Sequence, residues 1–274
     1  MKPEVIIPTG IGINSHAELG QAFKNAGAEV GYRHINDLIA EPALIDMYQL
    51  MGLPGGFMMG DQLGAGQSTR NRIYDSGLRD KLEEKLNDWN FPIYAVCNSL
   101  QMLAKLDLFP VKVGTVKNDS GKHETGSWDM EVNQKSNSIW LKHLKEYAAP
   151  IFAPISHGEG RIIVPQEELQ KAEDMNLVAL RYIKGHMCKY WQSSRGDRYN
   201  PNGSISDIAG FGWNNNLVLF PHFERLLKNS QRDDKALLQT KKIRYKECRD
   251  TPDGLYEPTY LIFKAAVEFV EGKK

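Results

Sequence analysis

Residues 93–103 read Ile-Tyr-Ala-Val-Cys-Asn-Ser-Leu-Gln-Met-Leu. The first four form an apolar, β-type run that stops at Cys97. A helical pattern follows, with Leu100, Leu103 and Ala104 on one side. Asn98 and Ser99, small or polar, occupy the join. Strand, sharp turn and helix in that order read as a nucleophile elbow, with the thiol at the crest of the turn. Such a turn holds the side chain clear of the backbone, and the helix N-terminus beneath it favours thiolate over thiol. A structural cysteine buried at a strand end gives the same pattern, so the chemistry has to be decided by the rest of the chain.

Working outward, Val5-Ile6-Ile7 is a short buried strand ended by Pro8. A loop with Gly10 and Gly12 follows, then a helix over 16–26 with Leu19, Ala22 and Phe23 inside and Gly27 as its stop. Residues 28–32 read as a second strand. Strand, loop, helix, strand predicts a parallel, doubly wound sheet. The first loop does not complete a dinucleotide fingerprint, because Ser15 stands where the third glycine belongs. After the strand-like 50–54 comes Gly55-Gly56, a pair that lets backbone approach a ligand closely and aim N–H groups at it. Residues 75–89 form an amphipathic helix whose charged run, 79–85, reads as a solvated face.

Residues 118–137 read as polar and turn-rich, with Trp128 as a structural aromatic. Residues 151–154 are a strand feeding Ser156-His157-Gly158-Glu159-Gly160-Arg161, and glycine-rich loops at strand ends are where α/β sheets bind ligands. A short helix over 167–171 and a strand over 177–182 follow. Residues 208–211 and 217–220 read as a hairpin joined through 213–216. Its second strand delivers Pro221-His222-Phe223-Glu224-Arg225, a histidine and carboxylate spaced as a base and its orienter. Residues 226–250 are a charged surface excursion, and 259–271 close a single domain spanning 1–274.

The 274 residues carry 34 Lys+Arg and 34 Asp+Glu, so net charge is zero, which argues against partners recognised by bulk charge, such as nucleic acid or an anionic membrane. Three cysteines, Cys97, Cys188 and Cys248, give no disulfide framework and suit a reducing cytoplasm. The N-terminus lacks the apolar core of a signal peptide, and no stretch approaches a membrane span. Neither H-E-x-x-H nor C-x-x-C occurs, and His186-Met187-Cys188 and His123-Glu124 are isolated pairs, so no metal is expected.

Taken together, G-G-F-x-x-G-D at 55–61, A-V-C-N-S-L-Q-M-L at 95–103, S-H-G-E-G-R at 156–161 and P-H-F-E-R at 221–225 resemble the class I (triad-type) glutamine amidotransferases. The same stretches, continued by L-R-Y at 180–182, Y-N-P-N-G-S at 199–204 and I-A-G at 208–210, more narrowly resemble the glutaminase subunits of phosphoribosylformylglycinamidine synthases, with Asn14 also fitting. The resemblance covers about 5–225. Two departures stand out: Ser99 replaces the glycine of the usual C-N-G elbow, and Phe223 replaces a proline between the histidine and the glutamate.

The resemblance implies a flavodoxin-like, mostly parallel sheet with helices on both faces. It also implies glutaminase chemistry with Cys97 as nucleophile, His222 as base and acid, and Glu224 orienting His222. Gly56 and Asn98 would supply oxyanion N–H donors, while Gln101, His157 and Gly158 would hold L-glutamine. The ammonia would pass to a large ATP-dependent synthase subunit of de novo purine biosynthesis, optionally with a small third subunit, and the chain itself would bind no cofactor. Two readings remain beside this one: a same-fold amidotransferase feeding another synthase, and a decayed glutamine-binding or assembly subunit. A cysteine peptidase of the same fold is disfavoured by the late His-x-Glu pair.

Overall fold

The computed structural model describes residues 2–145, 150–185, 199–226 and 257–273. Its strands are β1 (Glu4–Thr9), β2 (Glu29–His34), β3 (Leu50–Leu53), β4 (Ile93–Val96), β5 (Gly114–Val116), β6 (Glu124–Val132), β7 (Ile151–His157), β8 (Arg161–Ile163), β9 (Val178–Tyr182), β10 (Ile208–Trp213) and β11 (Asn216–Leu219). Its α-helices are α1 (His16–Asn25), α2 (Ile35–Ala40), α3 (Gln67–Ile73), α4 (Gly77–Asn87), α5 (Asn98–Lys105), α6 (Gln166–Asp174) and α7 (Glu257–Glu271). Nine strands form one sheet in the order β2-β1-β3-β4-β11-β10-β9-β6-β7, and β5 and β8 pair separately. The first five run parallel; from β11 outward each strand is antiparallel to its neighbour. The parallel half is the expected doubly wound core, and the antiparallel half extends it into one broad mixed sheet.

Side-chain alternation puts helices on both faces. Ile93 and Ala95 of β4 face one core with α4, α5 and α6, while Tyr94 and Val96 face the other with α1 and α7. All four residues are fully buried, which is why this strand reads as an unbroken apolar run. The second core is built around Phe263 of α7, whose ring lies 4.9 Å from those of Phe23 and Tyr94 and 6.1 Å from Trp140.

Several sequence expectations change. β1 continues through Pro8 to Thr9. Past Ile6 it pairs with β2 only, so a residue without an N–H is tolerated there. The turn-rich segment 118–137 contains the nine-residue strand β6. Its sequence, ETGSWDMEV, lacks clean alternation, and the strand is set by pairing with β7 over Glu124–Met130 and with β9 over Met130–Val132. Trp128 within it is buried, as a structural aromatic. The charged run of α4 is more than a solvated face, since Lys81 and Lys85 both pair with Asp46 of the preceding 3-10 turn, at 3.1 and 2.7 Å. The closing helix begins at Glu257. Of the excursion 226–250 only Leu226 is described, and Cys188 and Cys248 also lie outside the described residues.

Truncating Phe263 to alanine opens a cavity between α1, α7 and the sheet. It is expected to destabilise the chain by about 3–5 kcal/mol in equilibrium denaturant unfolding.

Candidate active site

β4 ends at Val96, and the chain turns at once into α5. Cys97 takes the turn at φ 54° and ψ −106°. A positive φ in a residue with a Cβ costs about 1–3 kcal/mol and persists only where the surroundings over-determine it. Here the Cys97 N–H donates to Leu219 C=O at 2.7 Å and the Cys97 C=O accepts from Gln101 N–H at 3.2 Å, so sheet and helix grip the residue from both sides. The Cys97 thiol donates to Ser156 C=O at 3.7 Å.

β11 is hydrogen-bonded to β4 and ends beside it, and its continuation supplies His222 and Glu224. The His222 N–H donates to Pro154 C=O at 2.7 Å, fixing the turn against β7. His222 Nδ1 lies 2.6 Å from Glu224 Oε1, and Tyr94 Oη donates to Glu224 Oε2 at 3.4 Å. His222 and Glu224 are both buried. Burial alone would lower the histidine pKa, but the Glu224 carboxylate and the Cys97 sulfur outweigh it and push His222 up to about 9. His222 Nε2 is buried and makes no hydrogen bond of standard geometry among the described residues, though the Cys97 sulfur is close enough to act on its charge. A Cβ built on Gly55 would lie 2.9 Å from His222 Cε1 and 3.2 Å from Cys97 Cβ, so the two side chains share a crevice that only glycine leaves open.

The loop carrying the glycine pair is held from three directions. Ser15 Oγ accepts from Gly55 N–H at 2.8 Å. Phe57 N–H donates to Gly12 C=O at 2.7 Å, and a Cβ on Gly12 would lie 1.9 Å from Phe57 O. Gly12 is therefore spent on close approach of two loops. Asn98 Oδ1 accepts from Met58 N–H at 3.3 Å, and Asn98 Nδ2 donates to Asp61 at 2.8 Å and to Gln101 Oε1 at 3.1 Å. The backbone N–H groups of Gly56 and Asn98 have no protein acceptor among the described residues. Ser99, fully buried, donates from Oγ to Pro54 C=O at 2.6 Å. The serine thus fits the elbow and ties it to the end of β3.

A pocket of about 150 Å³ opens beside the thiol, lined among others by Gly56, Asp61, Cys97, Gln101, His157 and Glu159. Gln101 Nε2 donates to Glu159 C=O at 2.8 Å. His157 lines the pocket, but its ring is committed elsewhere: Nδ1 faces Asn118 Oδ1 at 3.2 Å and Nε2 faces Asn202 Nδ2 at 3.5 Å. Burial, and then the charge on His222, hold it neutral, with a pKa down to about 3. Asn118 also accepts from Gly160 N–H, and Asn202 donates to Gly160 C=O at 2.7 Å. A Cβ on Gly160 would lie 2.1 Å from the His157 ring. The N-P-N-G-S turn is thus a brace beneath the H-G-E-G-R loop. Sequence reasoning did not single out Ser15, Asp61, Tyr94, Asn118 or Asn202 as site residues. Tyr94 and Ser15 carried no signal, whereas Asn202 and Asp61 lay inside motifs already quoted. His186 lies outside the described residues, and among those described no group of three or more His, Cys, Asp or Glu could hold a metal ion.

A cysteine on a strained strand–helix turn, met by a buried His-x-Glu pair from the neighbouring parallel strand, is the arrangement of the class I glutamine amidotransferases. The family model for the CobB/CobQ-like glutamine amidotransferase domain matches residues 2–270. The chain belongs to that family. It is 32% identical to phosphoribosylformylglycinamidine synthase subunit PurQ of Methanococcus maripaludis, over 98% of this chain and 99% of that one. It is 31% identical to the subunit of the same name from Dehalococcoides mccartyi, over 84% and 88%. A chain of the Thermotoga maritima PurLQS structure has the same fold, with a TM-score of 0.71 at 22% identity over 98% and 100% of the two chains. A glutamine amidotransferase from the same organism gives a TM-score of 0.53 at 17% identity over 99% of both.

Replacing Ser99 by alanine leaves the buried Pro54 carbonyl without its donor. It is expected to cost about 1–3 kcal/mol in denaturant unfolding.

Proposed function

We propose that this chain is the glutaminase subunit of a phosphoribosylformylglycinamidine synthase. In that role it hydrolyses L-glutamine and passes ammonia to an ATP-using synthase subunit that converts formylglycinamide ribonucleotide to formylglycinamidine ribonucleotide in purine biosynthesis. The observation that carries the chemistry is the strained Cys97 sharing one crevice with a histidine whose charge is held by a buried carboxylate. Full-length similarity to subunits that bear this name supports the particular synthase. The synthase partner, with or without a small third subunit, supplies the ATP site, and this chain carries no cofactor of its own. No helix among the described residues is long and apolar enough to cross a membrane, and the proposed setting is the cytoplasm.

In this mechanism Cys97 Sγ attacks the side-chain amide carbon of glutamine, forming the C–S bond. The carbonyl oxygen takes the negative charge and receives N–H donors from Gly56 and Asn98; losing one such donor costs about 3–4 kcal/mol. Collapse breaks the C–N bond as His222 Nε2–H protonates the departing nitrogen, releasing ammonia and leaving a γ-glutamyl thioester. Water, giving a proton to His222, then adds to the thioester, and glutamate leaves with the thiolate restored. Glu224 holds Nδ1 and sustains the imidazolium that the first step consumes. Gln101, tied to Glu159 C=O, and the Gly158 backbone border the amino-acid end. His157 contributes through its ring edge and backbone, since both ring nitrogens face asparagines.

Two measurements test this. A diazo-ketone analogue of glutamine should label Cys97 stoichiometrically by mass spectrometry, with L-glutamine protecting and Cys97→Ala abolishing the adduct. Absence of labelling, even with the synthase, ATP and its substrate present, would overturn the assignment. The second is a pH profile. His222 has its pKa raised above the ordinary value, so its imidazolium persists into alkaline solution and is lost as pH rises through about 9. Removing the carboxylate charge with Glu224→Gln should move the alkaline limb of kcat/KM to lower pH and reduce kcat. An unmoved limb would separate Glu224 from the histidine's charge.

A further inference from the structure

The loop after the glycine pair ends at Asp61, a residue the mechanism above does not use. Asp61 has φ 51°, and its carboxylate lines the pocket beside Cys97. Three N–H contacts orient it: Gly66 N–H to Oδ1 at 3.1 Å, and Asn98 Nδ2 to Oδ1 at 3.1 Å and Oδ2 at 2.8 Å. These dipoles hold the carboxylate in place without neutralising it. Among the described residues no lysine or arginine is recorded in ion-pair contact with Asp61, and Lys105 acts on it only weakly and at longer range. A second carboxylate, Glu159, lines the same wall and acts on Asp61 as a like charge, while itself accepting from Ala65 N–H at 3.2 Å. Burial, first, and then Glu159 push the Asp61 carboxyl above its ordinary range, against the pull of its N–H donors. A half-buried anion that is oriented but unpaired is costly until a cation joins it.

We propose that Asp61 is a specificity-determining residue that receives the α-ammonium of the amino-acid substrate, with Glu159 adding negative charge on the same wall. The inference rests on the glutaminase reading and names which group selects an α-amino acid over a plain amide. Cys97 and Asp61 line the same pocket. The amide end meets Cys97, whose neighbour Asn98 holds Asp61 directly, so the ammonium-binding carboxylate is fixed by the same residue that is proposed to hold the oxyanion. Asn98 thus serves both ends through different groups, its backbone N–H toward the oxyanion and its side-chain amide on the carboxylate. A site built around a charged partner rejects the analogue lacking that partner far more strongly than an apolar pocket does.

The test compares L-glutamine with 4-carbamoylbutanoate, the same molecule without its α-amino group, on the full chain assembled with its synthase. Asp61→Asn is isosteric, and asparagine tolerates positive φ, so the loop should keep its shape. In the native chain, kcat/KM for L-glutamine should exceed that for the analogue by roughly 10²-fold or more. Asp61→Asn should collapse that preference to within about tenfold, chiefly by raising KM for L-glutamine while leaving the analogue nearly unchanged. Equal loss on both substrates, or a fall in kcat without change in preference, would make Asp61 a loop support only and overturn the proposal. Binding of both compounds to Cys97→Ala, with and without Asp61→Asn, gives the same comparison without turnover. A native chain that fails to hydrolyse glutamine yet binds it with Asp61-dependent preference would refute the glutaminase reading and leave this inference standing.

Discussion

The site depends on the register between β4 and β11. The two strands pair in parallel, Ile93 with Asn216 through to Val96 with Leu219, and the last rung is the 2.7 Å bond from Cys97 N–H to Leu219 C=O. That bond ends one strand at the thiol and the other three residues before His222. A slip of one residue would turn the buried side chains of β11 to the opposite faces and carry the histidine away from the thiol. Because both strands lie in the middle of the sheet with helices over each face, slippage would expose two apolar cores at once. Packing of the sheet thus sets the catalytic distances.

Around that rung, polar groups that would be liabilities in a core are satisfied in sequence-distant pairs. Glu224 is fully buried, which is tolerable because His222 and Tyr94 meet its two oxygens. The opposite behaviour of two buried histidines follows from what surrounds them. His222 has a carboxylate and a thiol beside it and holds its proton to high pH. His157 is held neutral first by its burial and then by the charge on His222, with no carboxylate at its ring nitrogens, which face asparagines. One histidine can then exchange protons while the other serves as a fixed wall of the pocket. Asn118 and Asn202 bind that wall to the N-P-N-G-S turn, giving a glycine-rich loop the rigidity that its composition lacks.

The elbow shows how a departure from a family pattern can be absorbed. Ser99 stands where related elbows carry glycine, and the sequence predicts crowding there. In the structure its hydroxyl reaches the Pro54 carbonyl, so the extra atoms become a bond between α5 and the end of β3 rather than a clash. Since Pro54 precedes the glycine pair, this bond also steadies the loop that carries the Gly56 N–H.

Much of this was legible in residues 93–103 and in the four loop motifs, because each records a local constraint. An apolar strand buried on both faces needs an unbroken apolar run, a sharp turn needs small residues, and close backbone approach needs glycine. The parallel half of the sheet, the elbow and the candidate residues Cys97, His222 and Glu224 follow from such patterns and from family resemblance. Other features exist only through partners distant in the chain. β6 is a strand because β7 and β9 flank it, despite a sequence that reads as turns. Tyr94 reads as one more apolar strand residue, and its hydroxyl finds Glu224 across 130 positions. Asp61 reads as the end of a glycine loop, and only the fold brings it to the pocket wall under the Asn98 amide. The sequence by itself determined which residues turn, alternate and carry chemistry, since those are matters of local sterics and side-chain type. The tertiary structure alone decided which polar groups share a buried space, and with that which histidine holds a proton and which carboxylate, among the described residues, has no ion-pair partner.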